Sequence, residues 1–207
     1  MGKVLDVEWN PNGRWLASSS DNTNLYLWNS ETWEQKILFK SRDGPIISVN
    51  WSKDGRFLTA ITENGTHNLW EVSTWKHVQL DGLLAFSTYA QFAHGDYPNL
   101  AIGYSTGRVQ VFNARDWKVC NLLRNEIPAA VTAICFSEDN EYIAIGFMNG
   151  HVHVRKRHNW ELVKELSRMP APITYLQFIE ENKYLLVYVG SYEIKQITSS
   201  FKSEVFY

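Results

Sequence analysis

Cysteine is nearly absent: Cys120 and Cys135 are the only two in 207 residues. That rules out a disulfide framework and leads us to expect a reduced, intracellular protein, cytoplasmic or nuclear. Excess charge of one sign is also missing. Twenty basic residues against 22 acidic ones give a formal net charge of −2, so no bulk positive field attracts nucleic acid or an anionic membrane. No apolar run is long enough to span a bilayer, and no membrane partner is expected. The opening residues, "MGKVLDVEWN", lack a signal-peptide core and, with Asp6 in sixth position, a myristoylation pattern. Helical signals are missing too, since no stretch of ten residues keeps a 3.6-residue apolar period between caps.

What the chain does have is apolar and aromatic residues at a fixed spacing. Trp33, Trp75, Trp117 and Trp160 each follow a short polar turn, at intervals of 42, 42 and 43 residues. Other positions fall into the same register. An apolar stretch ends in an aromatic at Trp9, Trp51, Phe92, Phe136 and Phe178. A polar turn, such as "NPNGR" or "SKDGR", leads to a second apolar run, such as "WLASSS" or "FLTAIT". Tight turns then fall at Asn22-Thr23, Asn64-Gly65, Thr106-Gly107, Asn149-Gly150 and Gly190-Ser191. A third run alternates, as in "RVQVF", and a fourth follows the tryptophan turn, as in "KVCNLL". Runs this short, rich in Val, Ile, Leu and aromatics and bounded by Gly, Asn and Asp, are strands, and Asn-Gly is a strong hairpin signal. The same turn reading leaves the Asn64-Gly65-Thr66 sequon idle. The unit is therefore a four-stranded antiparallel meander of about 42 residues, present five times.

A lone meander cannot bury both of its faces, but radially stacked meanders bury them against one another. The expected fold is all-β, a single β-propeller segment over residues 1–207. Its blades fall at about 3–40, 44–81, 84–124, 128–167 and 171–207. The four repeated tryptophans are expected to plug against the fourth strand or the next blade.

"GRWLASSSDNTNLYLWNSET" and "GRFLTAITENGTHNLWEVST" resemble WD-repeats, and the resemblance extends from residue 4 to about 197. It is specific at the level of the repeat. It implies a non-catalytic scaffold for protein–protein interaction, a subunit of a larger assembly with no cofactor. It also implies a Ser, Asp and Trp set hydrogen-bonded across each blade. Here the family's Gly-His pair is missing, and the Trp position reads Trp28, Trp70, Phe112, Arg155. The turn Asp reads Asn22, Asn64, Thr106, Asn149, and the Ser/Thr position reads Ser20, Thr62, Tyr104, Phe147. Packing is then expected to hold the blades more than that network does. Rings of this family usually have seven blades and often close with strands from both chain ends. Here "VLDVEW" is already an innermost strand, and the fifth unit runs into an apolar-aromatic tail with Phe201, Val205, Phe206 and Tyr207. A partial or open ring is expected, completed by another chain or forming part of a longer protein, with Val7 and Trp9 exposed.

Three local patterns carry possible chemistry. "GYSTG", Gly103 to Gly107, matches the G-x-S-x-G nucleophile elbow around Ser105, with Asp116, Asp139 and the histidines downstream. The elbow needs a helix after it, whereas "RVQVF" is strand-like and the glycines recur at Gly146 and Gly150. No catalytic residue is expected. His151 and His153 share one strand face near His158, but no cysteine or carboxylate at ligand spacing completes a metal set. Arg155, Lys156, Arg157 and His158 form the densest positive stretch. They support the alternative reading, nucleic-acid or phosphoinositide binding, although the Phe-Arg-Arg-Gly motif of phosphoinositide-binding propellers is absent. Arg155 is expected to reach solvent or pair with Glu161 or Glu165. Partner-binding candidates are residues that packing does not demand: Asp21, Glu63, Ser105 and Met148 in the second-to-third strand turns, and Tyr89 and Tyr175 near the starts of first strands.

Overall fold

The computed structural model describes residues 2–84, 86–95, 99–124, 128–166, 168–191 and 193–198. Within them lie five antiparallel sheets in chain order. The first holds β1 (Val4–Trp9), β2 (Trp15–Ser20), β3 (Asn24–Asn29) and β4 (Gln35–Lys40). The second holds β5 (Ile46–Trp51), β6 (Phe57–Thr62), β7 (His67–Glu71) and β8 (Lys76–His77). The third holds β9 (Ser87–Phe92), β10 (Asn99–Tyr104), β11 (Val109–Asn113) and β12 (Val119–Leu123). The fourth holds β13 (Val131–Phe136), β14 (Tyr142–Phe147), β15 (Val152–Lys156) and β16 (Leu162–Leu166). The fifth holds β17 (Ile173–Ile179), β18 (Tyr184–Val189) and β19 (Glu193–Thr198). Each strand pairs with its sequence neighbour, giving five meanders. The tail with Phe201, Val205, Phe206 and Tyr207 lies outside the described residues.

The turns differ in detail from a two-residue hairpin. Between β6 and β7 the Thr62 N–H donates to Thr66 O at 3.0 Å and the Gly65 N–H to Thr62 O at 2.9 Å, with Gly65 at φ 80°. This is a three-residue loop whose last residue is left-handed, the commoner choice when only one position takes positive φ. A bulge recurs in the first strand, between Val4 and Asp6, Ile46 and Ser48, Val131 and Ala133, and Ile173 and Tyr175. Such bulges add twist, which a radially stacked sheet needs.

Each gap between neighbouring sheets is filled by its own apolar cluster. Leu25, Leu27, Val49 and Trp51 lie between the first two sheets, and Phe57, Ile61, Phe92 and Ile102 between the second and third. Val109, Val111, Ile143 and Phe147 separate the third from the fourth, and Ala144, Val154, Leu176 and Val187 the fourth from the fifth. Among the element pairs in extensive contact, none joins the first sheet to the fifth. The array is open, as the repeat count predicts. Its first face is bare: Val4, Val7 and Trp9 are 56%, 55% and 48% exposed, whereas their counterparts Ile46, Val49 and Trp51 are 0%, 4% and 1% exposed.

The four repeated tryptophans have left-handed backbones, with φ of 55°, 53°, 55° and 62°. An L-residue in that region costs roughly 1–2 kcal/mol, so other contacts must offset it. Part of the return is a closed turn: Trp33, Trp75 and Trp117 donate their N–H to Asn29, Glu71 and Asn113 carbonyls at 2.8, 2.7 and 2.7 Å. The rings give the rest, and here the expectation is corrected. They pack on the preceding blade, not the next one. Trp75 meets Trp15 of the first sheet edge-on at 5.7 Å, and Trp117 meets Phe57 of the second at 4.8 Å. Trp160 packs on the cluster between the third and fourth sheets. Among the described residues no blade precedes that of Trp33. The Trp33 ring lies against Trp9 at 6.0 Å and is 58% exposed.

Candidate functional site

Interfaces between sheets are also tied by polar groups on the first strands. The Asp6 carboxylate accepts from the Val49 N–H at 2.9 Å, and Glu8 from the Trp51 N–H at 2.6 Å. The Trp51 indole N–H returns to Glu8 O at 3.0 Å. At the next interface Asn50 Oδ1 accepts from the Phe92 N–H at 3.5 Å, and between the last two sheets the Cys135 thiol meets the Phe178 backbone. At three of the four interfaces the residue before the closing aromatic thus meets the backbone of the next sheet's aromatic. Burial raises Glu8 from 4.5 to about 7, against the Trp51 N–H and Lys53, which pull it down. Asp6 is raised as well, again by burial.

The family's cross-blade network survives in pieces. The Trp28 indole donates to Ser18 Oγ at 2.8 Å, and Ser20 instead donates to Lys3 O at 3.0 Å. Elsewhere the same space is filled differently. Thr59 Oγ1 lies 2.5 Å from His67 Nε2, Tyr104 donates to Gln110 Oε1 at 2.6 Å, and Phe147 stacks edge-on against His153 at 4.9 Å. His67 is buried and its pKa falls to about 3, so its ring is neutral.

Asp21, Glu63, Ser105 and Met148 are all exposed. They occupy equivalent turns at one end of four sheets. Their N–H groups donate to the carbonyls of Lys3, Pro45, Phe86 and Ala130, each at or just ahead of a first strand. Tyr89 and Tyr175 lie elsewhere. Tyr89 is half-buried and Tyr175 is 43% exposed. Both line a cleft of about 170 Å³ between β9, β13 and β17, with Lys53, His94, Cys135 and Glu138. The structure brings the two tyrosines together and keeps the four turn residues one to a sheet.

Ser105 sits in a turn that leads into a strand, β11. Its would-be partners are engaged elsewhere: Asp139 accepts from Ser137 Oγ at 2.6 Å, Asp116 from the Lys118 N–H at 3.1 Å, and His151 pairs with Glu165 at 2.8 Å. The motif's glycines have structural reasons. Gly107 has φ of 80°, and a β-carbon on Gly103 would collide with the Val131 side chain, as one on Gly146 would reach Ile173 Cγ2 at 2.5 Å. Gly103→Ala is therefore expected to lower stability by about 2 kcal/mol, the usual cost of overpacking, while Ser105→Ala leaves it within about 0.5 kcal/mol. Denaturant midpoints of the two variants check this, and equal midpoints would contradict it.

The histidine pair does acquire a carboxylate, which corrects the sequence reading. His153 is paired across strands with Glu165. Glu165 Oε1 lies 2.8 Å from His151 Nδ1 and 3.7 Å from His153 Nε2. The His151 hydrogen bond holds the Glu165 carboxyl below its ordinary range, and burial lowers His153. Among the described residues, no group of three or more His, Cys, Asp or Glu side chains is arranged to hold a metal ion. Arg155 is half-buried and so reaches solvent in part, as expected, but the expected carboxylate pairing is corrected. Its guanidinium donates to Trp160 O at 2.9 Å and Arg124 O at 3.5 Å instead of meeting Glu161 or Glu165. Lys156 and Arg157 are half-buried and only His158 is exposed, so the basic stretch offers less to a phosphate than its sequence suggests.

No curated protein matches the chain. A family model described as the Vps8 beta-propeller matches residues 97–192, and one described as WD domain, G-beta repeat matches residues 1–29. Among solved structures, the β-propeller domain of Cps50 (Swd1) from Myceliophteria thermophila superimposes with a TM-score of 0.77 at 18% identity. That match covers 96% of this chain and 66% of the other. A chain of a mitotic checkpoint complex superimposes with a TM-score of 0.80 at 17% identity, covering 94% of this chain and 61% of the other. The chain thus spans less than two thirds of the length of either. Among the described residues no helix is long and apolar enough to cross a membrane. By its repeat period, its five packed meanders and these matches, the chain has a β-propeller fold and resembles the WD-repeat propellers.

Proposed function

We propose that this chain is a non-catalytic protein-interaction scaffold, a propeller subunit of a larger assembly inside the cell. The observation that carries this is the open array. A face with Val4, Val7, Trp9 and Trp33 exposed is more apolar surface than a monomer usually leaves in water. The likeness to a propeller in a mitotic checkpoint complex is consistent with it. The exposed turns with Asp21, Glu63, Ser105 and Met148, and the cleft with Tyr89 and Tyr175, are the surfaces we assign to partners. A phosphate-binding role has less in its favour, since Arg155 is held by carbonyls and the net charge is −2.

The test is an affinity pull-down of the tagged chain from its native cells at low and high salt. Protein partners retained at both are expected, because apolar and hydrogen-bonded loop contacts lose little with ionic strength. Recovery only of nucleic acid or anionic lipid, lost steeply as salt rises, would replace the scaffold reading with the phosphate one.

A further inference from the structure

Equivalent interfaces between sheets are filled unequally. Between the first two sheets the Trp15 and Trp75 rings meet edge-on, and Lys36 Nζ lies over both, 5.1 and 4.9 Å from their centroids. The chain thus caps that aromatic pair with its own ammonium group. Between the second and third sheets Phe57 and Trp117 form the matching pair, with centroids 4.8 Å apart. The residue 42 positions after Lys36 is Val78. Lys36 is paired across strands with Leu27, and the Val78 N–H likewise donates to Leu69 O at 2.7 Å, so the register is kept and only the side chain differs. Valine is too short to reach across two rings and carries no charge. An open groove of about 850 Å³ lies there, with Phe57, Val78 and Trp117 as its apolar floor.

Positive charge gathers along the same groove. Arg56, Lys76 and Arg115 line it against a single carboxylate, Glu71, in a chain whose net charge is −2. Lys76 and Arg115 are exposed. Arg56 is differently employed. It pairs with Asp54 at 2.7 Å and lies over the Phe57 ring at 5.6 Å, so a cation from outside finds that face taken. Resting on the scaffold reading, we infer that this groove between the second and third sheets docks an acidic segment of a partner protein. An apolar side chain of the segment lies on Trp117 and Val78, and carboxylates on either side of it meet Lys76 and Arg115. A basic segment is repelled by the same two side chains. A nucleic-acid backbone suits the groove less, because Glu71 stands in its lining and two exposed cations neutralise few phosphates.

The experiment places a photo-crosslinking p-benzoylphenylalanine at position 77 of the chain in its native cells and maps the adducts by mass spectrometry. His77 is exposed and lines the groove, and its replacement leaves Lys76 and Arg115 in place. The expected adduct joins position 77 to another protein, within a segment where carboxylates flank an apolar residue. Lys76→Glu combined with Arg115→Glu should weaken that capture about tenfold or more, whereas Lys76→Arg combined with Arg115→Lys keeps it within about threefold. An unchanged unfolding midpoint shows that the charge-reversed chain still folds. Lys76→Gln alone is a milder change that should weaken capture about threefold. An adduct with a basic segment, with nucleic acid, with a second copy of this chain or with nothing overturns the proposal, as does an acidic adduct that survives the charge reversal. The two readings fail differently. If the charge-reversed chain still retains the full set of partners, the scaffold reading stands and this one falls. If the unaltered chain retains no protein at low or high salt, the scaffold reading falls.

Discussion

Trp51→Ala is expected to cost about 3–5 kcal/mol of stability, while the same change at Trp9, the matching position one unit earlier, costs well under half of that. The side chains are identical and both close a first strand. Trp51 is buried between the first two sheets, takes part in the ring cluster with Trp75 at 6.2 Å, and donates its indole N–H to Glu8 O. Truncating it leaves a cavity lined by Leu25, Leu27 and Val49 and removes a hydrogen bond. Trp9 touches Trp33 and otherwise faces water, so its truncation removes little packed surface. Denaturant unfolding of the two variants in parallel measures the difference. Equal losses would mean that the first face is covered in solution by something the isolated chain itself supplies.

The second large effect is a pH dependence located at Glu8. Its pKa is raised by burial from 4.5 to about 7, even though the Trp51 N–H at 2.6 Å favours the ionised form. A carboxyl with a raised folded pKa holds its proton better in the native state than in the unfolded one. Its contribution to stability is therefore complete below about pH 4.5 and is lost as pH rises through about 7. The size is at most about 3 to 4 kcal/mol, since each pKa unit is worth about 1.4 kcal/mol. Asp6, raised in the same direction, adds to the trend. Glu8→Gln keeps an oxygen for the Trp51 N–H and cannot ionise. Relative to the unaltered chain, the variant should gain stability between pH 5 and pH 8. Thermal midpoints of both proteins across that range test it, and two curves that stay parallel would show that Glu8 remains charged throughout.

Much of this molecule is visible in one dimension because its information is periodic. The interval from Trp9 to Trp51, and from Trp33 to Trp75, is a property of spacing alone. A meander that cannot bury both faces must stack, so the strands, the five sheets and the open ring all follow from the period and from elementary burial. The four turn residues Asp21, Glu63, Ser105 and Met148 could likewise be placed from register, because a turn between two hairpin strands has little choice but the surface.

Direction and pairing needed the tertiary structure. A repeat shows that each tryptophan belongs to a turn, but not which neighbour it leans on. The left-handed backbone at Trp75 and Trp117 decides that, by aiming the rings at Trp15 and Phe57 of the sheet before. Glu165 could not be assigned to His151 and His153 from linear spacing, because it lies twelve and more residues away and arrives by cross-strand register. Arg155 had two nearby carboxylates in sequence and chose two carbonyls in space. Period and burial are local, additive properties of the chain, and the sequence by itself determined the fold and its openness. Which side chain meets which, and so which pKa moves and which face waits for a partner, depends on contacts between residues about 42 apart, and only the packed sheets decided it.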